Sequence, residues 1–123
     1  MGIRRVFNAW RYSMQGLAAA TRYEASFRQE LILAMVLVPA AFWLGRNMLE
    51  VVILLISVFV VLITELLNSA MEAVADAVSV ELHPLIGRAK DIGSAAVWLS
   101  FVMLLLVWIS IALDRFASSW FLW

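Results

Sequence analysis

The chain has 123 residues, 65% of them hydrophobic and 15% charged, and its nine basic side chains are balanced by nine acidic ones. An apolar share so far above the roughly one-half of soluble domains excludes an ordinary water-soluble fold, and the length allows one membrane domain. With no cysteine, disulfides, thiolate catalysis and Cys-ligated metals are excluded, and without a basic tail there is no footprint for nucleic acid.

Residues 3–22 read as an amphipathic helix. Ile3, Phe7, Trp10, Met14 and Leu17 repeat at i, i+4, i+7, i+11 and i+14, while Arg4, Asn8, Arg11, Gln15 and Arg22 form a second stripe. Arginines opposite Trp and Phe are the signature of a helix lying in the membrane interface. Arg4 and Arg5 are followed by Asn8, Trp10 and Arg11 rather than an unbroken apolar core, so this start is not expected to be a cleaved signal peptide.

The first apolar run, Leu31 to about Leu44, is shorter than the ~20 residues a bilayer requires. A span over about 27–48 is therefore expected, with Arg28 and Glu30 at headgroup level, Trp43 as an interfacial anchor and a bend at Pro39. Gly45-Arg46-Asn47 reads as a turn. A second span over about 50–80 outlasts the hydrocarbon and projects its last turns into water. Pro84 and Gly87 read as breakers in the loop that follows, and a third span is expected over about 92–113, rimmed by Asp114, Arg115, Trp120 and Trp123. The expected fold is an all-α integral membrane protein with three transmembrane helices and an interfacial helix.

Arg4, Arg5, Arg11, Arg22, Arg28, Arg88 and Lys90 fall on one side of these spans, and only Arg46 and Arg115 on the other. The positive-inside rule then places the N-terminus in the cytoplasm and the C-terminus outside. The end of the second span and the loop after it accordingly face the nucleotide pool.

Within the second span a greasy run, Val51 to Ile63, gives way to Glu65-Leu66-Leu67-Asn68-Ser69-Ala70-Met71-Glu72-Ala73-Val74-Ala75-Asp76. On a helix Glu65, Asn68, Glu72 and Asp76 share one side. Ionisable groups continuing a membrane span are costly and usually carry function. With Glu24, Glu30, His83, Lys90 and Asp91 they form an oxygen-rich collection on the cytoplasmic side. One or two carboxylates plus substrate phosphates is the usual way to hold Mg²⁺, a lysine offers a point charge to phosphate, and a partly desolvated carboxylate suits proton removal from a hydroxyl. The combination points to phosphoryl transfer. No P-loop, protein-kinase or dinucleotide motif is present. Residue by residue, other readings stay open: Glu65 and Asn68 suit interhelical hydrogen bonds, Glu72 and Asp76 a solvated helix end, and His83 an ordinary loop. A small cation or proton transporter is the rival from another class, although Val51 to Ile63 carries only Ser57 as a polar break.

Tyr12-Ser13 with Gly16-Leu17, Phe27-Arg28-Gln29-Glu30, the Glu65 to Val74 run, and Gly87-Arg88-Ala89-Lys90-Asp91-Ile92-Gly93-Ser94 resemble, in order and spacing, the small bacterial integral-membrane diacylglycerol kinases. The resemblance covers about residues 5–114. It implies a homotrimer with shared active sites that uses MgATP to phosphorylate the primary hydroxyl of diacylglycerol. By position it implies Glu65 as general base, Glu24 and Glu72 as metal ligands, and Asn68, Lys90 and Asp91 as active-site polar groups. Arg5, Tyr12, Glu81, Leu82 and His83 are implied near the nucleotide, and Ser13, Glu30 and Ser94, with Arg5, near the lipid; the rise of the helix sets Asp76, at the far end of the seam, beside the nucleotide as well. Met14 and Asn8 depart from the family pattern at lipid-facing positions. His83-Pro84-Leu85 leans towards the undecaprenol kinase branch, whereas the longer matches lean towards diacylglycerol.

Overall fold

A computed structural model describes residues 2–78 and 84–117. Among these residues all regular structure is helical: α1 (Gly2–Tyr23), α2 (Ala25–Leu44), α3 (Met48–Val78) and α4 (Pro84–Phe116). The last three are long and apolar enough to cross a membrane. Glu81, Leu82 and His83 lie outside the described residues, as do Trp120 and Trp123.

α1 and α2 are separated by one residue. Glu24 takes an extended conformation (φ −111°, ψ 107°) and its side chain makes no capping bond. The break is held instead by Arg28, whose Nη1 donates to the carbonyls of Thr21 at 3.1 Å and Arg22 at 3.0 Å. A cation on the last carbonyls of a helix satisfies acceptors that have no intrahelical partner. Arg28, expected at the headgroups, is thus also the C-terminal clasp of α1.

α2 runs through Pro39 and stops at Leu44, four residues short of the expected end at Met48. The reason lies in the next helix. Asn47 Oδ1 accepts from Glu50 N at 3.0 Å, a side-chain N-cap that claims Met48 and Leu49 for α3. Gly45 is required by space: a Cβ there would lie 2.5 Å from Val51 Cγ2 and 2.9 Å from Val51 N. Arg46 binds Glu50 and Asp114, and these hydrogen bonds, Glu50 first, hold its guanidinium above its ordinary range. Arg115 reaches back to the carbonyls of Trp43 and Leu44 and stacks on Trp43 and Phe116, so the rim of α4 caps α2.

α4 starts at Pro84, eight residues before the expected start near Ile92. Proline ends helices from within but suits their first position, where its missing N–H is unpaired anyway. Gly87, read as a breaker, therefore lies inside α4. This places Lys90 and Asp91 on the same rigid helix as Ser94 rather than ahead of it.

α3 is the central helix, packing along α4 on one side and α2 on the other, while α1 rests mainly on α2. One core cluster joins Ala34, Val58, Val61 and Leu104, a second joins Ala41, Leu44 and Leu54, and Trp108 packs against both. In lipid there is no hydrophobic drive between helices, so small residues that let backbones approach do much of the work. Ala34, Ala41, Ser57 and Ser100 are such residues, all buried. Ser57 is satisfied twice, donating to Leu54 O at 2.6 Å and accepting from Trp108 Nε1 at 3.0 Å. Large apolar side chains such as Phe42, Ile56, Phe59, Trp98 and Leu106 point outward, as lipid-facing positions should.

Candidate functional site

The acidic half of α3 keeps helical geometry to Val78, so the polar side chains of Glu65, Asn68, Glu72 and Asp76 form a stripe rising about 16 Å along the axis. They differ by depth. Glu65 is 5% exposed, Asn68 and Glu72 are half-buried, and Asp76 is exposed. A stripe that long cannot meet one atom, and among the described residues no three His, Cys, Asp or Glu side chains converge on a metal-sized point.

Two direct contacts order the stripe. Asn68 Nδ2 donates to Glu72 Oε1 at 3.1 Å, one helical turn away. Further out, Lys90 Nζ on α4 pairs with Asp76 Oδ1 at 2.8 Å. The chain's only lysine is thereby drawn to the outer end of the seam, with Asp91 next to it on α4. Electrostatically the acids form one group, since Glu65 feels the like charges of Glu72 and Glu24, and Glu30 feels that of Glu65. Two acceptors within this group, Glu30 Oε2 and Asn68 Oδ1, are buried and lack a hydrogen-bond partner. An orphaned buried acceptor costs free energy, and a water, an ion or a catalytic role is the usual explanation for one.

Glu24, free of capping duty, opens into a cleft of about 700 Å³ between α1 and α3. Ser13, Gly16, Leu17, Ala20 and Tyr23 form one wall, and Leu66, Ser69, Ala70 and Ala73 the other. The walls are mostly small and apolar, and Glu24, Ser13 and Ser69 supply polar points, a lining suited to an amphiphile. Ser69, 8% exposed, was not singled out in the sequence; its place four residues after Glu65 is the signal that could have found it. Arg5 and Tyr12 lie elsewhere, with Arg4, Asn8 and Ala9 on a separate cleft along α1. Arg5 is about 12 Å along the helix from Ser13, so within the chain it is not brought to the carboxylates. Ser94 is exposed on α4.

Magnesium would suit these residues. The donors are oxygens, Glu72 is oriented by Asn68 Nδ2 at 3.1 Å, and Asn68 Oδ1 is an unused acceptor beside it. Two carboxylates with the remaining positions left to phosphate and water is the usual pattern for this ion.

These features define a class: a helical membrane bundle that carries an acidic seam and one lysine at one end of its spans, beside a lipid-sized cleft. The prokaryotic diacylglycerol kinase family profile matches residues 11–112, and the chain belongs to that family. It is 45% identical over 112 residues to a diacylglycerol kinase of Pseudomonas aeruginosa, covering 91% of each chain. Diacylglycerol kinases of Escherichia coli K12 and Haemophilus influenzae are 45% and 43% identical over 107 residues, which span 87% of this chain and 88% and 91% of theirs.

Proposed function

We propose that the protein is an ATP-dependent lipid kinase that forms phosphatidate from diacylglycerol. The observation that carries this reading is the graded seam on α3 in a member of this kinase family: buried Glu65 borders the apolar region, and exposed Asp76 with Lys90 ends in the aqueous one.

In the reaction the primary hydroxyl of the lipid enters from the membrane side and Glu65 takes its proton. The hydroxyl oxygen forms a bond to the γ-phosphorus as the bond from that phosphorus to the bridging oxygen breaks, and ADP leaves with the bridging oxygen. Such a transfer needs alignment and charge neutralisation more than covalent help. Glu24 and Glu72 would hold Mg²⁺, which when bound supplies charge neutralisation at the phosphates. Asn68 orients Glu72 through the 3.1 Å hydrogen bond, Lys90 offers positive charge to phosphate oxygens, and Asp91 stands beside it on α4. Ser13, Glu30 and Ser94 are assigned to the lipid headgroup. Arg5, Tyr12, Asp76, Glu81, Leu82 and His83 are assigned to the nucleotide.

Arg5 and Tyr12 lie along α1 away from the carboxylates, and three spans cannot seal an acidic stripe from lipid. Both points favour a homotrimer with sites completed between protomers, in the cytoplasmic membrane with the N-terminus inside. Transfer of labelled phosphate from ATP to diacylglycerol in mixed micelles tests the reading. Label on undecaprenol instead would move the protein to that branch, and cation flux without transfer to either lipid would overturn the kinase assignment.

A further inference from the structure

Gly93 lies inside α4 with no backbone reason to be glycine. Among the described residues no glycine has positive φ, and in a helix glycine is less favourable than alanine. The explanation is across the interface. A Cβ on Gly93 would overlap Asn68 Oδ1, stand 3.3 Å from Asn68 Cγ and lie 2.7 Å from Met71 Cε. Gly2, Gly16 and Gly87 would meet nothing within 4 Å and Gly45 would meet Val51 and Ala41 at the α2–α3 turn, so Gly93 is the glycine whose crowding involves the acidic seam. Met71 Cε ends a flexible chain and can give way. The short Asn68 side chain can leave only by rotating, which withdraws its Nδ2 from Glu72 Oε1. Asn68 Oδ1 is buried and partnerless, so no second bond holds the amide in place.

We infer that Gly93 is a positioning residue: its missing side chain is the space that lets the Asn68 amide sit between α3 and α4 and hold the Glu72 carboxylate in the orientation used for the metal. The consequence for catalysis rests on the proposed kinase reaction; the contact itself does not. Gly93 touches no substrate and acts through Asn68.

The test uses purified full-length protein in lipid–detergent micelles. Gly93→Ala should lower kcat by about 10- to 100-fold and raise the half-saturating Mg²⁺ concentration, while KM for diacylglycerol stays within about threefold. Gly93→Ala with Met71→Ala should be equally impaired, because the obstacle is Asn68. The melting temperature gives a readout independent of catalysis. Gly93→Ala should lower Tm in the wild-type background and raise it in the Asn68→Ala background, where the helix preference for alanine is opposed only by the flexible end of Met71. Full activity of Gly93→Ala with unchanged Mg²⁺ dependence, rescue by Met71→Ala, or the same Tm change in both backgrounds would overturn the inference. Should Gly93→Ala fail to fold, recovery in the Asn68→Ala background supports it and failure in both overturns it. If wild-type protein phosphorylates no lipid, the kinase reading fails, and the Tm comparison still decides the contact.

Discussion

Asn68 and Glu72 are joined by a 3.1 Å hydrogen bond one turn apart on α3, and the free oxygen of the same amide is buried without a partner. A neutral donor at that spacing fixes the carboxylate without pairing it with an opposite charge. Glu72→Gln keeps a side chain of the same length but removes the charge. We expect it to raise the Mg²⁺ requirement at least about tenfold, as losses around metal sites commonly do. A magnesium titration of lipid-kinase turnover gives the result, and normal magnesium dependence would remove Glu72 as a ligand.

Glu65 is the most deeply placed acid of the seam. Replacing it by glutamine preserves volume while eliminating proton acceptance. Turnover should fall by about 10²–10⁴-fold, the usual worth of a general base. Because Glu65 is about 10 Å along the helix from Glu72, MgATP affinity should change little. Calorimetric MgATP titration beside turnover separates the two, and an active Glu65→Gln enzyme would exclude Glu65 as the base.

The pair Lys90–Asp76 has a different character. Its side chains are 42% and 62% exposed, so the attraction is screened and adds little to folding. Its value lies in where it parks the ammonium group. Asp76→Asn should leave Tm nearly unchanged and reduce turnover modestly, whereas Lys90→Met should reduce turnover severely. Equal and small effects of both would show that Lys90 does not meet the phosphates.

The α3 seam was legible because a period of 3.6 places Glu65, Asn68, Glu72 and Asp76 on one side whatever surrounds the helix. The three apolar spans were legible for a similar reason, since length and hydropathy depend on composition alone. Helix ends were harder. Pro84 is read as a breaker from the sequence, yet the same ring suits a first turn, and only the run of helix behind it shows which role it plays. Contacts across the chain were not legible at all: Arg28 on the carbonyls of α1, Arg115 on those of α2, and the space at Gly93 for Asn68 each depend on how two helices meet.

Ser57 and Trp108 link α3 to α4 in the apolar half of the bundle, away from the seam, with a 3.0 Å hydrogen bond from the indole N–H to the hydroxyl of Ser57, a residue that is 1% exposed. Removing the hydroxyl leaves the indole N–H without its acceptor. Polar links between membrane helices are worth about 0.5–1.5 kcal/mol, because the dissociated helices find other partners. Ser57→Ala should therefore cost about 1 kcal/mol, of the order of a lost hydrogen bond. Trp108→Phe removes the donor and some packing, but adding Ser57→Ala to it should cost less than Ser57→Ala alone. Denaturant unfolding of the four proteins in micelles measures that coupling. Catalysis should follow stability only, with kcat unchanged wherever the protein remains folded, since neither residue reaches the acidic stripe.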